Sequence, residues 1–218
     1  MSGEENFLYN FYEISTFPRT RPLLEHEAKA GLITTVHCSN PHVLVSQPTV
    51  RAGPRGHTKV TAPATSFSVD MAFGPEEDTD TVYSHTMGRL LDTAARGGVA
   101  TMFAYGQTGS GKTHTVVGVM ERLAGDLFTD TSADLQLHVS FIQLLGNSAT
   151  DLLGDTGASV SIMEDKFGKV TLVGAQETRI QSSQHFLAVT RAALERRTTS
   201  TTFKNDTSSR SHAVCRVR

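Results

Sequence analysis

The chain has 218 residues, of which 38% are hydrophobic and 19% are charged, and its formal net charge is −2. This balance is typical of a folded globular domain with a sizeable core, and it excludes a largely disordered chain and a chain that binds polyanions through its overall charge. Because the charge is near neutral and no apolar run is long enough to cross a bilayer, we expect neither a nucleic acid nor a membrane as partner.

Short strands are predicted in the first third of the chain. Leu32–Cys38 and Val43–Ser46 are rich in β-forming residues and flank Asn40-Pro41, a dipeptide typical of turns. Ser66–Phe73 has the same character and is predicted as a third strand.

A helix is predicted after these strands. Asp78 or Asp80 is a suitable N-terminal cap, and Gly97-Gly98 is a suitable stop. Apolar residues recur between these points at helical spacing, which indicates a face packed on the core; they are Tyr83, Met87, Leu90, Leu91 and Ala94.

A glycine-rich loop follows, placed between a predicted strand and a predicted helix. The apolar run Val99–Ala104 indicates a buried strand, and apolar residues spaced from Val116 to Leu127 indicate a helix. The loop between them reads Gly106-Gln107-Thr108-Gly109-Ser110-Gly111-Lys112-Thr113. It fits the phosphate-loop pattern, although a glycine-rich turn that matches by accident is the alternative.

Each residue type in this loop suits the binding of a nucleotide triphosphate. Glycines let successive backbone N–H groups point at phosphate oxygens, and the N-terminus of the following helix favours an anion. Lys112 would neutralise the β- and γ-phosphates, and the Thr113 hydroxyl would bind Mg²⁺.

The last third of the chain again alternates strands and helices. A half-buried strand is predicted from Leu135 to Phe141, another over Lys169–Val173, and a helix over Phe186–Leu194 with Ser182 or Ser183 as its cap. The polar, Thr-rich stretch Arg196–Lys204 is predicted as a loop. A final strand, Ala213–Val217, contains Cys215, which we expect to pack as a buried thiol. This order predicts an α/β sandwich.

Three motifs make the chain resemble the motor domains of kinesins. Phe103–Thr115 is similar to the kinesin nucleotide loop, Asn205–His212 to the kinesin switch I motif N-x-x-S-S-R-S-H, and Arg19-Thr20-Arg21-Pro22 to the segment that kinesins place against adenine. The resemblance implies a phosphate-loop NTPase with a central, mostly parallel sheet flanked by helices. A phosphate-loop NTPase that is not a motor is the alternative.

The resemblance also implies the cofactors, ATP and Mg²⁺, and the role of each site residue. Residues Gly106 to Thr113 would hold the phosphates, with Thr113 and Ser209 as ligands of Mg²⁺. Ser208 would lie near the γ-phosphate and the attacking water, and Arg210 would pair with an acidic residue of switch II. The adenine side would consist of Arg19, Arg21, Pro22 and His114. The implied partner is tubulin in microtubules, and the implied location is the cytoskeleton of the cytoplasm.

The resemblance is incomplete at both ends. Residues 1–18 form an atypical segment, because Pro18 stands where a central strand would end and lacks an N–H. Residues 19–218 resemble part of a motor domain, since the kinesin motif D-x-A-G-x-E that follows switch I is not found. Asp151-Leu152-Leu153-Gly154 has the form D-x-x-G but precedes switch I. The alternative function is therefore a truncated, non-catalytic fragment that binds nucleotide or tubulin, with an oligomeric state set by other regions.

A side resemblance concerns one kinesin subgroup. Arg19–Glu27 and Gly97-Gly98 are similar to sequences of internal-motor kinesins that depolymerise microtubules. Those proteins have K-V-D in an early loop, whereas this chain has Lys59-Val60-Thr61.

The loop that kinesins usually insert soon after T-H-T is expected to be missing, because Thr115-Val116-Val117-Gly118 leads almost directly into apolar helical sequence.

Overall fold

The computed structural model describes residues 13–52, 57–129, 136–154, 157–202 and 211–218, with side chains as far as Arg197 in the fourth of these ranges. They fall into two compact units, Met1–Asp92 and Thr93–Arg218. Among the described residues, no helix is both long and apolar enough to pass through a membrane.

The first unit is built around a small antiparallel sheet. Its order is β1 (Val36–Ser39), β2 (His42–Ser46) and β5 (Ala64–Ser68). The predicted turn at residues 40–41 joins β1 to β2, as expected. Strands β1 and β5 are shorter than predicted, because residues 32–35 and 69–72 belong to no strand, whereas β2 begins one residue earlier than predicted.

A second antiparallel pair and a short helix in this unit were not predicted. The pair is β3 (Thr49–Ala52) with β4 (Thr58–Thr61), and the helix is α1 (Glu25–Lys29). Every residue of β3 and β4 is exposed. Both strands are only four residues long and bury no face on a core, so their signal in the sequence is weak.

Helix α2 (Thr79–Ala95) forms where it was predicted, but Ala94 of the predicted core face is exposed. The Asp78 carboxylate accepts a hydrogen bond from the Thr81 N–H at 2.8 Å, and Tyr83 and Met87 are buried. The chain leaves the helix at Gly97, whose φ of 82° is readily adopted only by glycine.

Phe73 is the centre of the first unit's core. Its side chain is fully buried, and its ring packs against Phe17 at 6.5 Å between centroids. Its backbone donates to the Pro18 carbonyl and accepts from the Thr20 N–H, which makes an isolated parallel bridge between Arg19 and Phe73. Residues 13–18 form no strand, as Pro18 led us to expect.

The second unit contains two helices and a four-stranded sheet. The elements are α3 (Lys112–Thr129), β6 (Leu137–Leu145), β7 (Ser148–Asp151), β8 (Ser161–Glu164), β9 (Val170–Val173), β10 (Thr178–Ile180), α4 (Ser183–Thr202) and β11 (Ser211–Val217). Strand β6 pairs with β10, β11 and β7, and β8 pairs with β9 as a separate hairpin. Every ladder in the described residues of both units is antiparallel.

Helices α3 and α4 pack on β6 to form the core of this unit. Phe141, Phe186 and Ala193 are almost completely buried in it. The predicted half-buried pattern of β6 is wrong for its middle, because Ser140 and Ile142 are buried as well. Ile142 packs in a second cluster on the other face of the strand, so both faces are covered.

Cys215 packs against this core from β11. Burial raises the pKa of its thiol to about 12. The thiol therefore stays protonated and unreactive near neutral pH, which agrees with the packing role predicted for it.

The prediction of a buried strand over Val99–Ala104 is wrong. Residues 98–107 form no strand, and the side chains of Val99 and Phe103 are 93% and 88% exposed. An apolar segment becomes a strand only when other strands satisfy its backbone, and no described residue pairs with this one.

The predicted loop over Arg196–Lys204 is also wrong, since α4 continues to Thr202; residues 203 and 204 lie outside the described residues. The helix begins as predicted, with the Ser182 hydroxyl accepting from the His185 N–H at 3.1 Å. Near the end of the helix, the Arg196 guanidinium donates to the turn after β7, which stabilises this additional length of α4. The predicted final strand, Ala213–Val217, is confirmed as part of β11.

Candidate functional site

The glycine-rich loop leads directly into α3, which begins at Lys112. Gly106 has a φ of 152°, and a Cβ there would lie 2.7 Å from the Ser110 hydroxyl oxygen. Gly111, the last residue before the helix, has a φ of 91°. Side chains are disfavoured at both positions, so the loop conformation depends on glycine.

Lys112 is held against the carbonyl groups of its own loop. Its ammonium donates to the Gly106 carbonyl at 2.9 Å and to the Gln107 carbonyl at 2.7 Å. The Ser110 N–H also donates to the Gln107 carbonyl, at 3.2 Å. The loop backbone therefore folds over the Lys112 ammonium, which places a positive charge at the loop.

The first turn of α3 lies beside this charge. The Thr115 N–H donates to the Gly111 carbonyl at 3.0 Å, which is the first backbone hydrogen bond of the helix. The N–H groups that precede Thr115 in this turn have no acceptor within the helix. Thr113 and His114 are exposed there. Amides, an ammonium and a hydroxyl are thus grouped at one helix N-terminus, a set that suits phosphate and its Mg²⁺.

Among the described residues, no group of three or more His, Cys, Asp or Glu side chains could hold a metal ion. The Thr113 hydroxyl, exposed at the start of α3, is an oxygen donor of the kind that Mg²⁺ accepts.

Helix α3 runs from Lys112 to Thr129 without a break, so the insertion that kinesins usually carry after T-H-T is missing, as expected. Val119 is 2% exposed and Ala124 is 1% exposed, and Ala124 lies in the core with β6. This burial fixes the helix, and with it the orientation of the loop.

A cavity of about 250 Å³ lies between α3 and α4, beside Thr113. Thr190 of α4 lines it, and the Thr190 hydroxyl is buried without a hydrogen-bond partner among the described residues. Sequence reasoning assigned nothing to Thr190, because its position depends on how the two helices pack.

The predicted switch residues Ser208, Ser209 and Arg210 lie outside the described residues. The residues that follow them, Ser211 and His212, begin β11 and pair with Leu145 and Leu144 of β6. The Arg197 guanidinium donates to the Ser211 carbonyl at 3.1 Å.

The residues predicted for the adenine side belong to the first unit, except for His114. Arg19 donates to the Glu77 carbonyl at 3.3 Å. Arg21 binds both carboxylate oxygens of Glu27 at 2.6 Å, and also the carbonyl of Pro22 at 2.9 Å. These bonds hold the Arg21 guanidinium in one orientation.

The stretch Asp151–Gly154 is a structural turn. The buried Asp151 carboxylate accepts from the Leu153 N–H at 3.1 Å and the Gly154 N–H at 2.7 Å. Arg196 donates from one nitrogen to the carbonyls of Leu152, Leu153 and Gly154. Because the Asp151 carboxylate is occupied by these bonds, we interpret this D-x-x-G sequence as a turn and not as a switch.

Comparison with known proteins gives a consistent result. A family model described as Kinesin motor domain matches residues 19–218. The chain is 34% identical over 203 residues to Diatom spindle kinesin-1 of Cylindrotheca fusiformis, covering 91% of this chain and 32% of that protein. It is 31% identical to Kinesin-like protein KIN-7A of Arabidopsis thaliana, covering 91% of this chain and 20% of that one.

A solved structure of a fast kinesin has the same fold. Its TM-score is 0.79 at 24% sequence identity, and the alignment covers 94% of this chain and 58% of the solved chain. The predicted α/β, kinesin-like fold class is thereby confirmed. This chain spans one third or less of the two curated relatives and about three fifths of the solved one. The match over residues 19–218 shows that the chain belongs to the kinesin motor domain family.

Proposed function

We propose that this chain binds ATP with Mg²⁺ through Gly106–Thr113 and belongs to a microtubule motor ATPase. The observation that supports this most is the loop geometry: Lys112 is the first residue of α3, and its ammonium lies within 2.9 Å of two loop carbonyls. Triphosphate oxygens would take the place of those carbonyls, and the amides of the first turn would face the same phosphates.

The other predicted residues have complementary roles in this proposal. Thr113 and Ser209 hold Mg²⁺, and Ser208 lies near the γ-phosphate. Arg210 pairs with an acidic residue elsewhere in the motor. When bound, Mg²⁺ neutralises charge that develops on the phosphoryl group.

The adenine side of the proposal consists of Arg19, Arg21, Pro22 and His114. The bidentate bond between Arg21 and Glu27 supports it, because it keeps the guanidinium plane in one orientation. A planar cation held this way suits stacking on a purine.

Nucleotide binding would be coupled to tubulin in microtubules, in the cytoskeleton of the cytoplasm. The family supports this coupling: switch segments that order around Mg-ATP alter the affinity of a distant surface. Binding, hydrolysis and movement by this chain are parts of the proposal that separate experiments test.

Lys112→Ala tests nucleotide binding directly. A fluorescent ATP analogue should bind the variant about 10- to 150-fold more weakly, because a hydrogen bond to a charged group contributes about 1.5–3 kcal/mol. Lys29→Ala, which removes an exposed lysine of α1, is the matched control and should bind normally. Equal binding by the Lys112 variant and the wild type would refute the proposed role of the loop.

A second candidate is a module that binds nucleotide or tubulin without hydrolysis. It is favoured by the exposed segment before the loop, since residues 98–107 make no ladder with any described residue. A phosphate loop without strand support is less well preorganised for catalysis. Phosphate release that rises when microtubules are added would exclude this candidate, and release that stays at the buffer rate would favour it.

A further inference from the structure

The segment that carries the proposed adenine-side arginines is fixed to the first unit through one buried residue, Phe73. The Phe73 N–H donates to the Pro18 carbonyl, and the Phe73 carbonyl accepts from the Thr20 N–H, each at 2.8 Å. These two bonds lie on either side of Arg19, which forms the parallel bridge with Phe73. The course of the backbone at Arg19, and through Thr20 at Arg21, therefore depends on where Phe73 is held.

Asn40 holds the backbone immediately before Phe73. Its side-chain oxygen accepts from the Ala72 N–H at 2.6 Å, and its side-chain nitrogen donates to the Ala72 carbonyl at 3.1 Å. Ala72 is 1% exposed and belongs to no strand, so its backbone groups need partners within the protein. The Asn40 amide supplies a donor and an acceptor at once, as the backbone of a neighbouring strand would.

A thiol adds a weaker bond at the next residue. The Cys38 Sγ donates to the Phe73 carbonyl at 3.3 Å, and the Thr20 hydroxyl lies 3.4 Å from the same sulfur. Because a thiol is a weak donor, the two bonds from Asn40 are the stronger hold on this stretch of backbone.

From these contacts we infer that Asn40 is a positioning residue for the adenine side of the nucleotide site. It fixes Ala72, Ala72 continues into Phe73, and Phe73 holds the chain on both sides of Arg19. Asn40 acts through the backbone and need not touch the nucleotide. The inference rests on the proposed function, because it requires that Arg19–Pro22 lies against adenine. A segment that is already ordered binds the base without the cost of ordering it.

The test compares the affinities of wild type and Asn40→Ala for ATP and for inorganic tripolyphosphate, both with Mg²⁺, by isothermal titration calorimetry of the full chain. Tripolyphosphate has the phosphates of ATP without the base, so it reports on the phosphate loop alone. Asn40→Ala should bind ATP about 5- to 30-fold more weakly, which corresponds to ordering about one residue of backbone on binding. Its affinity for tripolyphosphate should stay within about twofold of wild type, because Gly106–Thr113 is unchanged.

Two controls separate positioning from other effects. Asn147→Ala removes an exposed asparagine from the turn between β6 and β7, and it should bind both ligands as wild type does. Val82→Ala truncates a buried side chain of α2, so it lowers the stability of the first unit but keeps every bond described above. Below its melting temperature it should also bind both ligands normally. If Asn40→Ala does not fold, Asn40→Asp, which keeps the acceptor and loses the donor, should show the same selective loss.

Wild-type affinity for ATP in the Asn40 variants would overturn the inference. A matching loss for tripolyphosphate would overturn it as well, because the effect would then not concern the base. The same selective loss in Val82→Ala would also overturn it, because a loosened first unit would explain the result.

The proposed function fails by different results. If the wild type binds no ATP, the role of the phosphate loop fails, and if it binds ATP no more tightly than tripolyphosphate, the adenine side fails. This inference then fails with the proposed function. Both results come from the wild type alone, so they are distinguishable from a failure of the role of Asn40.

Discussion

Arg21 and Glu27 form a two-point ion pair in which both nitrogen–oxygen distances are 2.6 Å. The Glu27 carboxylate also accepts from the Leu24 N–H at 2.8 Å, at the start of α1. One carboxylate thus orients Arg21 and caps a helix. The bond from Arg21, followed by the one from Leu24, lowers the pKa of Glu27 from its ordinary value of 4.5 to about 2.

This pair predicts that Glu27 contributes to stability in a pH-dependent way. Because the folded pKa is the lower one, the contribution is complete above about pH 4.5 and disappears as the pH falls toward about 2. Glu27→Gln should therefore be less stable than wild type at pH 7, and the difference should shrink between pH 4.5 and 2. Urea denaturation followed by circular dichroism at several pH values measures it.

Glu25→Gln is the control for that experiment. Glu25 pairs with Lys29 on the surface of α1, where both side chains are more than 70% exposed. Exposed pairs contribute little to stability. A Glu25 variant with the same pH-dependent loss as the Glu27 variant would contradict the special role of Glu27.

Thr190→Val is predicted to stabilise the chain. The Thr190 hydroxyl is buried with no hydrogen-bond partner among the described residues, so its removal should increase the free energy of unfolding by about 1 kcal/mol. Thr86→Val provides the comparison, because the Thr86 hydroxyl donates to the Val82 carbonyl at 2.8 Å. The Thr86 variant should be neutral or destabilised. Thermal denaturation of both variants measures the contrast, and a destabilised Thr190→Val would show that the hydroxyl is satisfied.

Gly106→Ala should impair nucleotide binding and leave the fold intact. The φ of 152° and the close Ser110 hydroxyl oppose a side chain, and strain of about 1–3 kcal/mol corresponds to a loss of affinity of about 5- to 150-fold. Gly125→Ala is the matched control within α3, where a Cβ meets no atom within 4 Å. It should bind normally and gain about 0.5–1 kcal/mol of stability. Equal affinities in the two variants would mean that the loop tolerates a side chain.

The exposed segment before the loop gives a direct test of the wrong strand prediction. Phe103 is 88% exposed and Phe141 is 1% exposed. Phe103→Ala should change the free energy of unfolding by less than about 0.5 kcal/mol, whereas Phe141→Ala should cost about 3–5 kcal/mol. A large loss in the Phe103 variant would show that this segment is buried in solution.

Local sequence was enough to predict the loop and the helices that flank it. Gly106–Thr113 and the cap at Asp78 are recognisable because their geometry depends on residues close together in the chain. The start of α4 at Ser183 followed from a neighbouring serine in the same way.

Contacts between distant residues could not be predicted. Val99–Ala104 has the composition of a strand, but a strand needs partners that its own sequence does not specify. Of the β8–β9 hairpin, β9 was predicted and β8 was not, because every residue of β8 is exposed. The polar, Thr-rich stretch from Arg196 suggested a loop, whereas α4 continues, with Arg196 bonded to carbonyls more than 40 residues away. The bond from Arg197 to Ser211 is of the same kind.

The unbroken course of α3 has a mechanical consequence. Its 18 residues span about 27 Å, so Lys112 and Thr129 are the two ends of a single rigid lever. A tilt of about 10° at the phosphate end would move the far end by about 5 Å, if the helix does not bend. If the loop binds nucleotide as proposed, a tilt at that end would reach Thr129 directly, because no flexible insertion interrupts the helix.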